Sequence, residues 1–225
     1  MIAEWPCPLP QGGTGTEYAL TFDRGRQHRL LVLAPLFDEA NKLRHQLVEV
    51  MRRLDGSGID SFLPDMPGWN ESLEPFQIQT LEGWRHAARA AATHFGITHL
   101  LSVRSAAIFA PTDVPGWRYA PIGGPNILRA LLRARLVSSR EAGRDENMDS
   151  LRELGRTDGI ELGGYQIGAT LFNALDNAPL QDSGILAEIE QATIGGSGLW
   201  LRAEPDYDTA QADALAAIVA MGFIA

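Results

Sequence analysis

Residues 99–111 read HLLSVRSAAIFAP, and this stretch decides the fold. Its first five residues, HLLSV, have the apolar character of a strand that is buried on both faces. After one further residue, Arg104, come the small residues Ser105, Ala106 and Ala107, which favour a sharp turn into a short helix. Arg104 stands at the apex of that turn. We therefore expect a buried central strand that ends in a tight strand-to-helix turn with a charged apex.

The segments around this turn alternate between apolar strands and amphipathic helices, which is typical of an α/β fold. The predicted strands are 18–22, 30–35, 59–63, 97–103, 117–122 and 198–203, and the predicted helices are 41–54, 80–95, 126–140 and 209–221. We predict one three-layer domain over 1–225 with a mostly parallel sheet. The polar turn between 18–22 and 30–35 indicates a hairpin, which would form an antiparallel N-terminal edge. Residues 123–178 are predicted to form a helical, lid-like insertion.

Composition excludes several classes of function. The chain has 225 residues and a formal net charge of -9, so neither nucleic acid nor an anionic membrane is an expected partner. No stretch of about 18 uninterrupted apolar residues is present, and no spanning helix is expected. Cys7 is the only cysteine, which fits a reducing, cytoplasmic compartment. No residue set has the spacing of a metal site or a phosphate loop, so we predict neither metal nor cofactor.

The turn at Arg104 matches the frame of a nucleophile elbow, G-x-S-x-G, which presents the catalytic serine of an α/β-hydrolase. Here the frame runs from Ser102 to Ala106, and its outer positions are suitably small. Its centre is an arginine, which stays protonated and cannot attack a carbonyl carbon. No histidine follows His99, although an α/β-hydrolase carries its catalytic histidine after the last strand. Two members of the usual triad are therefore missing.

Two alternatives remain for the chemistry of the turn. Ser102 or Ser105 could act as a displaced nucleophile if His45 or His86 supplied the base. Otherwise Arg104 is a structural or binding charge. Since an isolated buried charge is costly, a buried Arg104 would pair internally, with Glu39 or Asp65 as the expected partners. If Arg104 faces an open cleft, it would bind a carboxylate or phosphate. We favour the internal pair.

The loop after the second predicted strand, PLFDEANK at 35–42, lies where an α/β-hydrolase places one main-chain donor of its oxyanion hole. The N–H groups of Leu36 and Phe37 are the candidates. The same loop is also explained as a plain strand-to-helix connection, because Asp38 and Glu39 then lie in the first helical turn, where the helix dipole favours acids. The sequence alone leaves both interpretations open.

Several segments resemble the exosortase A system-associated hydrolases, type 2, in the order in which that family carries them. They are APLFDEANKLR at 34–44, FLPDMPGWNES at 62–72, SVRSAA at 102–107, WRYAPIGG at 117–124, LRALLRARL at 128–136 and IELGGYQIGATLFNAL at 160–175. The resemblance includes the arginine at the elbow. In this sequence, Glu39, Asn41, Lys42, Asp65 and Arg104 match motif positions of that family. After Pro179 the two patterns diverge, and here we predict only one clear strand, 198–203.

The resemblance implies an α/β-hydrolase fold and a bacterial protein linked to exopolysaccharide production and to the sorting of PEP-CTERM proteins. Together with the missing triad, it leads to two hypotheses. The first is an accessory protein that binds a small molecule, with an anionic molecule as one candidate, or other proteins of that system. The second is an active ester or thioester hydrolase that uses Ser102 or Ser105 with an unorthodox base.

Overall fold

The computed structural model describes residues 1–180 and 184–224. The strands are β1 Ile2–Pro8, β2 Thr14–Phe22, β3 Arg29–Leu33, β4 Asp60–Pro64, β5 His99–Val103, β6 Gly116–Tyr119, β7 Ile160–Leu162, β8 Tyr165–Ile167 and β9 Leu186–Ile189. The α-helices are α1 Asp38–Gly56, α2 Leu81–His94, α3 Gly124–Glu141, α4 Met148–Thr157, α5 Ala169–Asp176, α6 Gln191–Ile194 and α7 Thr209–Gly222. Short 3-10 helices span Phe76–Ile78, Arg104–Ile108 and Leu199–Leu201.

Seven strands form one sheet in the order β1-β2-β4-β3-β5-β6-β9. The five strands from β4 to β9 run parallel, while β1 and β2 are antiparallel and lie at one edge. This arrangement confirms the predicted α/β class, the mostly parallel sheet and the antiparallel N-terminal edge. It also brings the carboxyl ends of the parallel strands to one side of the sheet, where ligand sites form in such folds.

Side chains alternate along the central strands and divide the core into two apolar layers. Leu30 and Val32 of β3 belong to the layer that includes the buried residues of α1 and α7. Leu31 and Leu33 of the same strand belong to the opposite layer, which includes the buried residues of α2, α3 and α5. Both faces of β3 are therefore covered, which explains why this strand is apolar from Leu30 to Leu33.

The hairpin that we predicted between 18–22 and 30–35 is wrong. β4 inserts between β2 and β3, so β2 pairs with β4 instead. The antiparallel partner of β2 is β1, which covers Ile2–Pro8 and which the sequence did not predict because prolines interrupt it. Proline is tolerated at a sheet edge, where one side of the strand has no neighbour to bond. The predicted strand boundary near residue 18 therefore lies four residues inside the real strand.

The predicted last strand, 198–203, is also wrong. Leu199–Leu201 forms a 3-10 helix, and the last strand of the sheet is β9 at Leu186–Ile189. β9 pairs in parallel with β6 and forms the other edge of the sheet. Its sequence, LAEI, is short, and two of its four residues, Ala187 and Glu188, are exposed. Because an edge strand is partly exposed, its hydrophobic pattern is weak. For this reason the sequence did not predict β9.

Residues 123–178, which we predicted as a lid-like insertion, hold α3, α4, the β7–β8 hairpin and α5, between β6 and β9 in the chain. Gly155 of α4 packs directly on the Phe172 ring of α5, at a distance where a Cβ would lie 2.4 Å from the ring. Asn147 begins α4 with a capping box. Within the described ranges, no helix combines the length and hydropathy needed to cross a bilayer.

Candidate functional site

The turn after β5 has the geometry of a strained elbow. Arg104 follows the last residue of the strand and has a φ of 55°, a left-handed value that costs a non-glycine residue free energy. Phe37 and Ala120 also have positive φ, and they lie beside Arg104. These three are among the four non-glycine residues with positive φ in the described chain. Backbone strain of this kind concentrates at functional sites, and here it marks one place in the molecule.

The Arg104 side chain forms a two-pronged ion pair with Glu39. Its Nε and Nη2 each donate to one carboxylate oxygen of Glu39, both at 3.1 Å. Nη1 donates to the main-chain oxygen of Ala120 at 2.9 Å. The guanidinium carbon also lies 4.1 Å from the centre of the Trp200 ring, within range of a cation–π interaction. The arginine side chain is 13% exposed and that of Glu39 is 25% exposed, so the pair is largely shielded from water.

Of the two partners expected for Arg104, only Glu39 contacts it. The expectation for Asp65 is wrong, because Asp65 accepts hydrogen bonds from Arg44 at 3.0 Å and from the Asn70 amide at 2.7 Å. Asp65 follows β4, which lies beyond β3 as seen from β5. Glu39 lies in the first turn of α1, directly after β3, which is the neighbour of β5. The strand order therefore decides which acid reaches the elbow.

The two candidate serines are both buried, and their hydroxyl groups are engaged. The Ser105 Oγ accepts a hydrogen bond of 2.7 Å from the main-chain N–H of Leu36. The Ser102 hydroxyl donates to the main-chain oxygen of Trp117 on the neighbouring strand β6, at 3.4 Å. Leu36 was one of the two candidate oxyanion donors, so this donor is already satisfied by a side chain of the protein.

The histidines considered as bases make their contacts elsewhere. The His45 ring packs at a tilt against Tyr207, with ring centres 4.5 Å apart, and His86 lies 3.4 Å from a carboxylate oxygen of Glu82. The other three contact phenylalanine rings: His28 and His99 both pack on Phe223, and His94 packs on Phe95. Ser102 and Ser105 have no histidine partner in the residues described.

A cleft of about 380 Å³ opens over the elbow, and we call it the elbow cleft. Its lining residues come from the loop after β3, the turn after β5, the loop after β6, α1, α3 and the 3-10 helix after α6. They are Leu36, Phe37, Asp38, Glu39, Lys42, Arg104, Ser105, Ile122, Asn126, Ile127, Ala130, Leu131, Ala134 and Trp200. Most of this lining is apolar, and the insertion 123–178 supplies one wall. Such a concave, mostly apolar cleft with a few polar groups is typical of a small-molecule site.

The charges in the elbow cleft neutralise each other in pairs. Lys42 lies 2.7 Å from Asp38, one turn away on α1, while Arg104 pairs with Glu39. No net charge remains among these four side chains. Asn41, another candidate, is exposed on α1 and is outside the described lining of the elbow cleft. In the described ranges, no cluster of three or more His, Cys, Asp or Glu side chains could hold a metal ion.

Sequence reasoning missed Trp200, which lines the elbow cleft, and Tyr119, which packs against Trp200. Trp200 lies between Arg104 and Tyr119, whose ring centre is 5.9 Å away in an edge-on contact. Burial raises the pKa of Tyr119 to about 12, and its hydroxyl group is hydrogen-bonded to Gln191. No sequence motif identifies Trp200 as a site residue, because its contact with Arg104 depends on the course that the folded chain takes after β9. The small residues Ala130 and Ala134, one turn apart on α3, are the only sequence signal for the wall.

Three aromatic rings from separate segments meet beside the elbow cleft, and one of them, Phe37, also lines it. Phe37 packs on Tyr165 of the β7–β8 hairpin with ring centres 5.2 Å apart, and on Phe76 at 5.8 Å. Phe76 and Tyr165 also contact each other at 5.2 Å. This aromatic triangle joins the loop after β3, the loop after β4 and the insertion, and each contact adds about 0.5–1.5 kcal/mol beyond area burial.

The sheet order, the strained turn after β5 and the insertion before the last strand together define an α/β-hydrolase fold. Solved structures share it. The mouse alpha/beta hydrolase domain-containing protein 10 aligns over 100% of this chain and 98% of its own, with a TM-score of 0.53 and 11% identity. A protein assigned as a hydrolase from Agrobacterium vitis S4 aligns over 80% of this chain and 73% of its own, with a TM-score of 0.53 and 15% identity.

A hypothetical protein from Pseudomonas aeruginosa is similar to the same degree, with 84% of this chain and 77% of its own aligned, a TM-score of 0.52 and 10% identity. At these identities the likeness establishes the fold and leaves the activity open. No family model and no curated protein matches the chain.

Proposed function

We propose that this chain is a non-catalytic α/β-hydrolase-fold protein that binds a small molecule in the elbow cleft. The observation that carries this proposal is the two-pronged ion pair between Arg104 and Glu39 at the apex of the elbow. A nucleophile at this position must be free to attack. Arg104 instead carries a permanent positive charge and is held by a carboxylate, a main-chain oxygen and an aromatic ring.

The neighbouring positions also support a loss of catalysis. An oxyanion hole needs main-chain donors that are free to bind developing charge. The Leu36 N–H is occupied by the Ser105 hydroxyl. After the last strand, where an α/β-hydrolase carries its histidine, this chain places Trp200 over the elbow. An indole cannot accept a proton from a serine at neutral pH.

The lining of the elbow cleft favours a ligand with an apolar body. Its walls are aliphatic and aromatic, and its four charged side chains are paired with one another. A volume of about 380 Å³ lies at the lower end of the range for small-molecule sites. The ligand would therefore be bound mainly by burial of apolar surface.

The biological setting is proposed from the sequence resemblance. The ordered motifs shared with the exosortase A system-associated hydrolases, including Arg104, support an accessory role in exopolysaccharide production or PEP-CTERM protein sorting. A single buried cysteine fits action in the cytoplasm. Binding partners among the proteins of that system are part of the same proposal.

One observation favours the alternative, an ester or thioester hydrolase: Ser105 lines the elbow cleft. For that activity Ser105 would have to release Leu36 and find a base. Ser102 is a weaker candidate, because it lies inside β5 and outside the described lining of the elbow cleft.

The two functions are separated by one set of assays. The protein is treated with a fluorophosphonate probe and with short-chain p-nitrophenyl and acyl-CoA esters, beside Ser105→Ala and Ser102→Ala. We expect no labelling, and no hydrolysis above that of the variants.

Binding of an apolar fluorescent probe is measured in parallel. Ala130→Phe, which fills the elbow cleft, should weaken that binding, and Ala210→Phe, an exposed alanine on α7, should not. Labelling that is lost in a serine variant would overturn the proposal.

A further inference from the structure

One exposed face of α3 is strongly basic, although the chain as a whole carries a net charge of -9. Arg129, Arg133 and Arg140 are all exposed and follow the spacing of a helical face. By contrast, the half-buried Arg135 of the same helix is paired with Glu146. Among the described residues, Arg129, Arg133 and Arg140 form no ion pair. A local excess of positive charge in an acidic protein indicates a surface shaped for a negative group.

Two of these arginines are helical neighbours of residues that line the elbow cleft. Asn126, Ala130 and Ala134 of α3 line it. In a helix with about 3.6 residues per turn, residues three apart lie about 60° apart around the axis. Arg129 therefore lies beside Asn126, and Arg133 lies beside Ala130. We call Arg129 and Arg133 the rim arginines. Arg140 lies about two further turns along the helix, roughly 10 Å from Arg133 along the axis.

The acids across the elbow cleft do not neutralise the rim arginines. Asp38 and Glu39 are the two acidic side chains in its lining, and they are already paired with Lys42 and Arg104. The rim arginines therefore add two positive charges, unpaired within the described residues, on the helix that borders this largely apolar cleft. This combination suits an amphiphile, since an apolar chain is stabilised by burial and an anionic head by charge-assisted hydrogen bonds at the rim.

We propose that the rim arginines bind the carboxylate or phosphate headgroup of an acyl-chain amphiphile whose apolar part occupies the elbow cleft. This inference rests on the proposed function and deepens it by naming the ligand class. Arginine suits the role because its planar guanidinium presents several N–H donors that match a carboxylate or a phosphate.

Calorimetric titration with four probes tests the inference: decanoate, decyl phosphate, decanol and inorganic phosphate. Decanoate and decyl phosphate share an anionic head on the same chain, decanol lacks the charge, and inorganic phosphate lacks the chain. We expect the two anionic amphiphiles to bind at least tenfold more tightly than decanol, and inorganic phosphate to bind weakly. The ratio between decanoate and decyl phosphate then identifies the preferred headgroup.

Variants locate the headgroup. Arg129→Gln and Arg133→Gln keep most of the side-chain length and remove the charge. Each should weaken decanoate or decyl phosphate binding about fivefold to tenfold, with no effect on decanol. Arg140→Gln, on the same exposed face but away from the elbow cleft, is the matched control and should bind like the unmodified protein. Raising the salt concentration should reduce the preference for anions, because exposed charges are screened.

The results that would overturn the headgroup proposal differ from those that would overturn binding in the elbow cleft. If decanol binds as tightly as decanoate and the rim variants change nothing, the anionic headgroup is wrong while binding in the elbow cleft stands. If Arg140→Gln weakens binding as much as Arg133→Gln, the effect belongs to a diffuse basic surface and the rim site is wrong. If none of the amphiphiles binds, both this inference and the proposed function are overturned.

Discussion

The Ser105 hydroxyl lies 2.7 Å from the Leu36 main-chain nitrogen and accepts its hydrogen bond. The serine beside the elbow apex thus satisfies the donor that an oxyanion would otherwise use. A hydroxyl that supports a buried N–H contributes to stability, since an unpaired buried donor costs about 1–3 kcal/mol. The pair joins the loop after β3 to the turn after β5, and it explains why a serine is useful here without being a nucleophile.

Replacing Ser105 by alanine should therefore lower stability. We expect Ser105→Ala to reduce the free energy of unfolding by about 1–2 kcal/mol, because the Leu36 N–H loses its acceptor. Urea unfolding followed by circular dichroism measures this. Ser102→Ala is the control and should cost less, since the Ser102 hydroxyl is 3.4 Å from its acceptor. Equal stability of Ser105→Ala and the unmodified protein would contradict the structural role.

The Arg104–Glu39 pair should be strongly coupled. Arg104→Met and Glu39→Gln each leave a shielded partner unpaired, so we expect each to cost about 1–3 kcal/mol, between the values for exposed and buried pairs. The double variant should cost less than the sum of the two, because neither residue then lacks its charged partner. Thermal and urea unfolding of the four proteins give the coupling energy. Strict additivity would show that the two side chains act independently.

The sequence predicted the parallel core and failed at the edges. Strands buried on both faces, such as β3 and β5, have an apolar pattern that no other element shares. β1 contains prolines and β9 is half exposed, so local pattern carries little information about either. The pairing of β2 with β4 is a long-range contact that no local signal specifies.

The candidate functional site could likewise be predicted only where its residues are adjacent in the sequence. The elbow could be located because its small residues and its arginine are adjacent in the chain. Asp65 and Glu39 were equivalent candidates until the strand order placed β3, and with it Glu39, next to β5. Trp200 is nearly a hundred residues from Arg104 in sequence, and only the folded path of the chain brings it there.

The insertion should become less stable in acid. Hydrogen bonds from Arg135 and then Ser139 lower the pKa of Glu146 from 4.5 to about 2. A depressed carboxyl pKa stabilises the folded state above the unfolded value of 4.5, and this contribution is lost as the pH falls towards 2. We expect Glu146→Gln to have a lower melting temperature than the unmodified protein at pH 7. The difference should shrink between pH 4.5 and 2, and a difference independent of pH would contradict the assignment.

Close packing of α4 on α5 should make Gly155 irreplaceable. A Cβ at this position would lie 2.4 Å from the buried Phe172 ring, so Gly155→Ala must displace the ring or the helix. We expect a loss of about 1–3 kcal/mol, as for other overpacked cores. Gly56, near the end of α1, is a matched helical control with open space around it, and Gly56→Ala should be neutral or slightly stabilising. Differential scanning calorimetry compares the two.

The single thiol should be inert in the folded protein. Cys7 is fully buried, and burial, with smaller effects of Glu17 and Glu74, raises its pKa to about 12. At pH 8 only about one thiol in ten thousand would be ionised, and the thiolate is the reactive form. Ellman's reagent should therefore react slowly in buffer and rapidly in urea. Fast labelling of the native protein would show that β1 detaches from the sheet.

The aromatic triangle of Phe37, Phe76 and Tyr165 has a consequence for how a ligand could reach the elbow. Movement of the β7–β8 hairpin away from the loop after β3 would separate two ring contacts at once. Trp200 belongs instead to a three-residue helix, where it contacts the Arg104 guanidinium and the Tyr119 ring and packs on one edge of the apolar core. We therefore expect a ligand to enter the elbow cleft on the Trp200 side, where one ring contact would have to separate, rather than past the aromatic triangle.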